Sequence, residues 1–321
     1  MADGSKTVVY AALAGNLLIA VTKGIAAAIT GSSGMLSEAV HSLVDTGNEV
    51  LLLYGMKRSA QKPDEEHPLG HGRELYFWSF VVAVLIFGVG AGVSFYEGVV
   101  HLAEPEPIKR PEISYIVLGL SFLFEGGSWF VAYREFRRIQ GSQTLVATIR
   151  DSKDPPKFMV LLEDSAALIG IAIALAGTWA SVHFNDPRFD GYASIGIGVV
   201  LAAVSIILLR ESKALLIGER ADPAVRDAVA RAASCTPGIE RVNGVLTVQL
   251  APNQVFVALS LKFEAGMDIE VVERIVTDVE ARVRAERPEV IALFLKPQTR
   301  EAYHASRGRL LDAPQFDPSA P

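Results

Sequence analysis

The sequence predicts a helical membrane protein followed by a small α+β domain, and three observations lead to this fold class. Half of the 321 residues are hydrophobic and the mean hydropathy is +0.31, which is high for a water-soluble chain of this size. Apolar stretches close to the roughly 20 residues that cross a bilayer recur through the first two thirds of the chain. After Lys213 they give way to amphipathic and alternating patterns. We therefore expect a transmembrane domain at 1–212 and a separate domain at 213–300.

Six hydrophobic segments are predicted to cross the membrane, and the loops between them set the orientation. Most of the loop lysines and arginines lie in 57–74 and 134–157. The positive-inside rule places these two loops in the cytoplasm, and six spans then place both termini there as well. The expected location is a bacterial inner (plasma) membrane. The predicted spans are 7–29, 34–57, 74–102, 112–138, 158–183 and 189–212.

The last third of the chain reads as helix, strand, strand, helix and strand. The first helix begins at an Asp-Pro pair in "DPAVRDAVARAAS", and a Pro-Asn turn joins the two strands in "IERVNGVLTVQLAPNQVFVALSLKF". The second helix is "DIEVVERIVTDVEARVRAER" and the last strand is "EVIALFLKP". This order suits an α+β sandwich with one sheet face covered. Residues 301–321 end in a Pro-rich tail that we expect to be disordered.

Charge and composition argue against several classes of function. The net charge is −6, which argues against a nucleic-acid partner. Cys235 stands alone, so an internal disulfide and a cysteine-rich zinc cluster are excluded. The sequence shows no phosphate-binding glycine loop and no nucleophile triad, and we therefore expect neither ATP use nor an enzyme.

The second predicted span carries ionisable side chains that are unusual inside a membrane. In "SEAVHSLVDTGNEV", Glu38, His41, Asp45 and Glu49 recur at helical spacings of three and four and form one stripe. Such groups are costly in a bilayer and usually serve a function. His41 and Asp45 lie one turn apart and can bind one cation together. The alternative is a polar packing cluster that neighbours such as Asn16 satisfy.

The fifth predicted span supplies a counterpart in "VLLEDSAALIG". Glu163 and Asp164 differ by about 100° around a helix, so one can face the second span while the other faces a cavity or the helix end. With His41 and Asp45 they would complete a four-ligand N/O site, which suits zinc and tolerates other divalent metals. The alternative is that both carboxylates only cap the cytoplasmic end of the helix.

A second cluster lies in the loop "PDEEHPLGHG". Asp64, His67 and His71 are separated by three and four residues, which is a spacing typical of metal ligands. Glu65 and Glu66 could replace one of these ligands or add negative charge around the site. The competing interpretation is a solvated acidic loop.

Other charges within the spans are less informative. Glu125 either relays protons or pairs with a neighbouring helix. Lys23 is expected to snorkel or to pair near the outer end of the first span. The glycine-rich stretch "GVGAGVSFYEG" indicates close helix packing.

Four motifs together make the chain resemble the cation diffusion facilitator family, in its zinc transporter 9-like branch. They are "GSSGMLSEAVHSLVDTGNEVLL", "PDEEHPLGHG", "VLLEDSAALIG" and "ALLIGERADP", and the resemblance covers about residues 7–300. It implies a homodimer of six-helix protomers with a cytoplasmic ferredoxin-like domain. It also implies a secondary active transporter that exports divalent metal, Zn²⁺ first, in exchange for protons.

The resemblance assigns two sets of metal ligands. His41, Asp45 and Asp164 match the transport site of the family. A second set, Asp64, His67 and His71, matches the family's loop site at the cytoplasmic membrane boundary, where zinc could also bind.

Two departures from the family pattern leave the preferred metal open. Most members carry His or Asp four residues before the aspartate of the fifth span, whereas Val160 stands here, so Glu163 or water supplies the fourth ligand. Between 213 and 300 the chain has no histidine, so the usual binuclear zinc site of the C-terminal domain is not expected. Efflux of Mn²⁺, Fe²⁺ or Co²⁺ by the same mechanism and a non-transporting membrane metal sensor are the alternatives. An organic-cation transporter is disfavoured because no aromatic box lies near the His/Asp set.

Overall fold

The computed structural model describes residues 3–140, 148 and 152–311, and the chain divides into two compact units, Met1–Leu216 and Ile217–Pro321. The first unit is helical. Its third helical rod is continuous from Glu74 to Ala103 but contains a π-helical turn, Ile86–Ala91, between two α-helical parts. The helices of this unit are α1 Asp3–Thr30, α2 Ser33–Ser59, α3 Glu74–Leu85, α4 Gly92–Ala103, α5 Pro111–Gln140, α6 Pro155–Phe184 and α7 Arg188–Ile217.

Four helices in the described part of the chain are long and apolar enough to cross a membrane. They are Glu74–Ala103, Pro111–Arg134, Pro155–Phe184 and Arg188–Ile217. The described apolar portion of α1, Asn16–Thr30, is shorter. Helix α2 has 27 residues, but the ionisable stripe that begins at Glu38 lowers its hydropathy.

Local signals in the sequence explain where these helices begin and end. Gly31 has a φ of +67°, a left-handed conformation that glycine tolerates, and it makes the turn between α1 and α2. Pro155 lies in the first turn of α6, where proline costs no helical hydrogen bond. At the other end of α6 the left-handed Asn185 terminates the helix.

The N-terminus of α2 is capped twice, and one of the caps comes from the other end of the unit. The hydroxyl of Ser32 accepts a hydrogen bond from the backbone N–H of Met35 at 3.1 Å. Ser32 Oγ also donates to Asp190 Oδ1 of α7 at 2.7 Å, and Asp190 Oδ2 accepts from the backbone N–H of Ser33 at 2.5 Å. A buried carboxylate is well placed there because it satisfies orphan N–H groups and complements the helix dipole.

Helices α1, α2, α5 and α6 pack against one another, and α2 also contacts α3 and α4. Helices α4 and α7 cross closely, because a Cβ atom added to Gly98 would lie 2.8 Å from the carbonyl oxygen of Gly191. This contact confirms that the glycine-rich stretch serves close packing. Fully buried members of the apolar core include Met35, Val82, Leu118, Phe158, Met159, Ile171, Ile197 and Leu208.

The second unit is an α+β sandwich. Strand β2 pairs antiparallel with β1 and parallel with β3, so the sheet has the order β1-β2-β3. Apolar side chains of the two helices, including Val229 and Val279, pack against residues of the sheet such as Leu259. The elements are α8 Pro223–Ser234, β1 Ile239–Ala251, β2 Gln254–Phe263, α9 Ile269–Glu286, β3 Val290–Pro297 and α10 Arg300–Leu311.

The expectation that 301–321 is disordered is wrong for the residues that form helix α10. Residues 301–311 are helical, and 312–321 lie outside the described residues. The helix is supported at its start, where the Thr299 hydroxyl accepts a hydrogen bond from the backbone N–H of Ala302 at 3.2 Å. Tyr303 fixes its position, since it lies against Gly244 of β1 at a point where a larger residue would overlap the phenol. The proline-rich composition comes only after this helix.

Candidate metal centre

A polar cavity of about 60 Å³ lies inside the first unit. It is enclosed by side chains from α1, α2, α5 and α6, the four helices that pack together. Its walls are formed by Asn16, Ile19, Ser42, Asp45, Glu49, Leu52, Glu125, Ser128, Val160, Glu163 and Asp164. We call this space the acidic cavity, because five of these residues are carboxylic acids.

The two predicted ligands of α2 lie next to each other at the cavity. Asp45 lines it, and its side chain is 21% exposed. His41 is buried one turn away, with 3.4 Å between its Nδ1 and Asp45 Oδ1. Neither ring nitrogen of His41 makes a hydrogen bond with a described residue, and the same holds for Asp45 Oδ1. Buried polar atoms are normally paired, so these three atoms are suited to a cation.

Glu163 and Asp164 both line the acidic cavity, but they are held by different helices. Glu163 Oε1 accepts a hydrogen bond from Asn48 Nδ2 of α2 at 3.3 Å. Asp164 Oδ2 accepts one from Ser128 Oγ of α5 at 2.9 Å. Neighbouring positions on α6 thus face two different partner helices, as the 100° separation of adjacent residues requires.

The structure gathers these four residues around one cavity without closing them into a compact ligand set. Within the described ranges, three or more His, Cys, Asp or Glu ligand atoms lie within 4.8 Å of one another only at Asp64, His67 and His71. The side chains at the acidic cavity therefore have to move inward to hold a small cation.

The Asp64 loop group, formed by Asp64, His67 and His71, is assembled by local contacts. Asp64 Oδ1 accepts a hydrogen bond from the backbone N–H of His67 at 2.6 Å, and its Oδ2 lies 2.9 Å from His71 Nε2. The two imidazole rings are 4.2 Å apart between centroids. Gly70, with a φ of +81°, reverses the chain so that His71 returns to Asp64.

The electrostatics of the Asp64 loop group favour a carboxylate. The hydrogen bond from His71 and that from the His67 backbone lower the pKa of Asp64 to about 2. Because a metal ligand must be deprotonated, this shift prepares Asp64 to bind a cation at any pH well above 2.

The helices on either side hold this loop in place. Arg58 near the end of α2 forms an ion pair with Glu74 at the start of α3, with 3.0 Å between Nη2 and Oε1. Trp78 Nε1 donates to the other carboxylate oxygen of Glu74 at 2.9 Å. The loop group is thus anchored at both ends.

Two polar side chains that hold acids of the cavity could have been recognised from the sequence. Asn48 and Ser128 were not singled out, although each lies three residues after an acid of its own helix, Asp45 and Glu125. That spacing was the available signal. Asn16 was suggested as a partner for the stripe of α2, and it donates to Glu49 Oε1 at 2.6 Å rather than to His41.

Comparisons with known proteins bear on the first unit most directly. A family model described as the cation efflux transmembrane domain matches residues 9–217. The mitochondrial proton-coupled zinc antiporter SLC30A9 of Mus musculus is 33% identical over 269 residues, which are 83% of this chain and 46% of that protein. Metal tolerance protein C4 of Arabidopsis thaliana is 36% identical over 197 residues, 60% of this chain and 43% of that protein. The chain thus spans about half the length of these two relatives.

A bacterial relative matches over nearly its whole length. The cation-efflux pump FieF of Cronobacter sakazakii is 26% identical over 290 residues, which are 89% of this chain and 91% of that protein. The match therefore extends into the second unit.

Proposed function

The chain belongs to the cation efflux family, and from that premise we propose that it exports divalent metal, zinc first, in exchange for protons. The resemblance to the cation diffusion facilitators is confirmed, and the apolar helices make the chain an integral membrane protein. One observation carries the proposal: five carboxylic acids surround a cavity inside the helical unit, beside a buried histidine without hydrogen-bond partners among the described residues. Such groups inside a membrane domain indicate a path for ions.

In this proposal His41, Asp45 and Asp164 bind the transported cation, and Glu163 completes the site. Their deprotonated forms bind metal, and protons that arrive on the far side of the membrane displace it. The open arrangement supports this exchange, because a cation has to draw the ligands of α2 and α6 together and protonation lets them separate. The bound metal is the cargo of the protein and no chemical step is catalysed.

The Asp64 loop group is proposed as a second metal site outside the transport route. Its atoms are already close together, and two imidazoles with one carboxylate are a ligand set that zinc accepts.

The proposed architecture has six spans, with α1 and α2 joining the four apolar helices. The helix–strand order of the second unit supports a ferredoxin-like domain, which we place in the cytoplasm, where it would hold a homodimer together. The basic loops 57–74 and 134–157 support the proposal that both chain ends lie on that same side. The nearly full-length match to a bacterial pump supports a bacterial inner membrane. The SLC30A9 relative is named as a proton-coupled antiporter, and we propose protons, not ATP, as the driving force here too.

A second cargo is favoured by one feature of the acidic cavity. Val160 lines it at the position where most of the family carries His or Asp, so carboxylate oxygen outnumbers imidazole nitrogen. Oxygen-rich and partly hydrated sites suit Mn²⁺ better than the closed N/S sites typical of zinc. We therefore keep Mn²⁺, Fe²⁺ and Co²⁺ efflux as the second candidate.

The test is cation uptake by proteoliposomes that contain the purified full chain. Zn²⁺, Mn²⁺, Fe²⁺ and Co²⁺ are each offered with and without a pH gradient, and liposomes without protein are the control. We expect zinc uptake to accelerate when the vesicle interior is more acidic than the outside. Each zinc ion that enters should release protons to the outside. Metal binding without any flux would instead identify a membrane metal sensor.

A further inference from the structure

Lys23 of α1 lies fully buried next to the acidic cavity, and the proposed function does not use it. Its Nζ donates to Glu38 Oε2 at 3.1 Å and to Ser42 Oγ at 2.8 Å, both on α2. It also lies 3.8 Å from Glu125 Oε1 of α5. One ammonium group therefore contacts two carboxylates from two different helices.

Glu38 is held in a space that α6 leaves open for it. The side chain is fully buried, and a Cβ atom added to Gly170 of α6 would overlap its Oε1. That oxygen has no hydrogen-bond partner within the described residues, so Lys23 is the cation that compensates this carboxylate. Burying one such charge without the other would be strongly unfavourable.

The Lys23–Glu38 pair lies beyond one end of the acidic cavity. On α1, the cavity residues Ile19 and Asn16 precede Lys23 by about one and two turns, respectively. On α2, Ser42 is the last cavity residue toward the N-terminus, and Glu38 follows one turn beyond. The pair thus lies past the cavity on the side away from the Asp64 loop.

Ser42 and Glu125 connect the pair to the cavity. Both residues line it, and both contact the Lys23 ammonium. An ammonium that only joined α1 to α2 would need Glu38 and Ser42 alone. The approach to Glu125 places a fixed positive charge against one wall of the cavity, where the low dielectric makes its effect on another cation large.

We propose that Lys23 is a positioning residue for cation transport: its ammonium is a tethered counter-ion that holds Glu125 away from the cargo. This inference rests on the proposed function, because it presumes that a cation enters the acidic cavity. The fixed charge weakens cation binding and thereby speeds release. Glu38 limits the effect of this fixed charge on the cation, because it shares the ammonium with Glu125.

The signature is a pair of opposite shifts. In Lys23→Gln, Glu125 is free to join the cation, so the Kd for Zn²⁺ falls by about tenfold and the maximal flux falls by a similar factor because release slows. In Glu38→Gln, the ammonium turns to Glu125 and repels the cation more strongly, so the Kd and the KM both rise by about tenfold. Lys23→Arg keeps the charge and should stay close to the parent protein.

The experiment measures Zn²⁺ binding by titration calorimetry and Zn²⁺ uptake by proteoliposomes, both with the full chain. Asp64, His67 and His71 are replaced by Ala in every protein, including the reference, so that only the acidic cavity is titrated. Lys157→Gln is the matched control, since this lysine is exposed, pairs with Asp154 at 2.8 Å and does not line the cavity. It should change neither Kd nor flux.

Opposite Kd shifts in Lys23→Gln and Glu38→Gln, with recovery in Lys23→Arg, support the proposal. An unchanged Kd in Lys23→Gln, or shifts of the same sign in both variants, overturns it and leaves a structural ion pair. If Lys23→Gln does not fold, Glu38→Gln decides alone: a raised Kd supports the tethered charge and an unchanged Kd overturns it. If the reference binds Zn²⁺ but shows no flux, the proposed transport fails while the binding shifts still decide the role of Lys23.

Discussion

The acidic cavity and the Asp64 loop group contain the same kinds of side chain but assemble them in opposite ways. In the loop, eight consecutive residues from Asp64 to His71 contain the whole ligand set, and its ligand atoms already lie within 4.8 Å of one another. In the cavity, the candidate ligands come from α2 and α6, and the two acids of α6 are held by different helices, Glu163 by Asn48 of α2 and Asp164 by Ser128 of α5. A site that must release its ion benefits from ligands that separate, whereas a site that keeps its ion benefits from ligands that are preassembled. The comparison therefore predicts transport at the cavity and retention at the loop.

The largest expected effect is at Asp45. Asp45→Ala should reduce Zn²⁺ flux by more than about a hundredfold, because it removes a proposed ligand that lies beside His41. Losing a residue that only supports a ligand typically costs about 10- to 100-fold, and losing the ligand itself should cost more. Proteoliposome uptake measures this, with size-exclusion chromatography as a check that the protein is folded. Glu112→Ala, an exposed acid in the first turn of α5, is the control and should keep full flux. Normal flux in Asp45→Ala would remove this residue from the site.

The next effect separates the two acids of α6. Asp164→Ala should stop both Zn²⁺ and Mn²⁺ flux. Glu163→Ala should preserve flux but change the Zn²⁺/Mn²⁺ ratio by about tenfold, since losing one ligand leaves a site more open to water, which favours oxygen-loving metals. Parallel uptake of both metals in both variants decides the matter. An unchanged ratio in Glu163→Ala would show that this acid does not select the metal and serves only as a packing partner of Asn48.

A smaller effect is expected at Ser128, which holds Asp164 by a hydrogen bond. Ser128→Ala should raise the KM for Zn²⁺ by about tenfold at nearly constant maximal flux, because the ligand remains but loses its orientation. Ser121→Ala on the same helix is the matched control, since Ser121 does not line the cavity. A fall in maximal flux without a change in KM would contradict a role in orienting the ligand.

The smallest effect on flux is expected at the loop. Replacement of Asp64, His67 and His71 by Ala should lower the number of bound metal ions by one per chain and leave flux within about threefold of the parent, because the group lies outside the proposed route. Equilibrium dialysis with metal analysis gives the stoichiometry, and uptake gives the flux. Loss of flux from intact protein would make the loop part of the route and would break the comparison with the cavity.

The sequence was informative wherever a short stretch of chain determines the outcome. The i,i+4 spacing of His41 and Asp45 places them together on α2, and the three- and four-residue spacings of the loop yield the Asp64 loop group. The helix–strand order of the second unit was likewise predicted, because alternation and amphipathic periodicity are local properties. The metal-binding role of these residues stays a prediction.

Contacts between distant helices could not be predicted in the same way. Periodicity shows which face of α6 carries Glu163 and Asp164, but it does not show that one faces Asn48 and the other Ser128. The burial of Lys23 between Glu38 and Glu125 depends on the packing of three helices, and snorkelling was the other expectation from the sequence. The π-helical turn at Ile86–Ala91 leaves no clear mark in its composition, which is apolar on both sides.

The cap that Asp190 places on α2 affects the order in which the helices become stable during synthesis. More than 150 residues separate Ser32 and Ser33 from Asp190, so a chain made from its N-terminus contains α2 long before its capping carboxylate exists. Lys23, the partner of Glu38, is made earlier, but Glu163 and Asp190 arrive only with the last two helices of the unit. Helix α2, which carries the ionisable stripe, is therefore stabilised in stages, and the last stage requires α7. A mutation that displaces α7 would therefore first destabilise the N-terminus of α2, more than 150 residues earlier in the sequence.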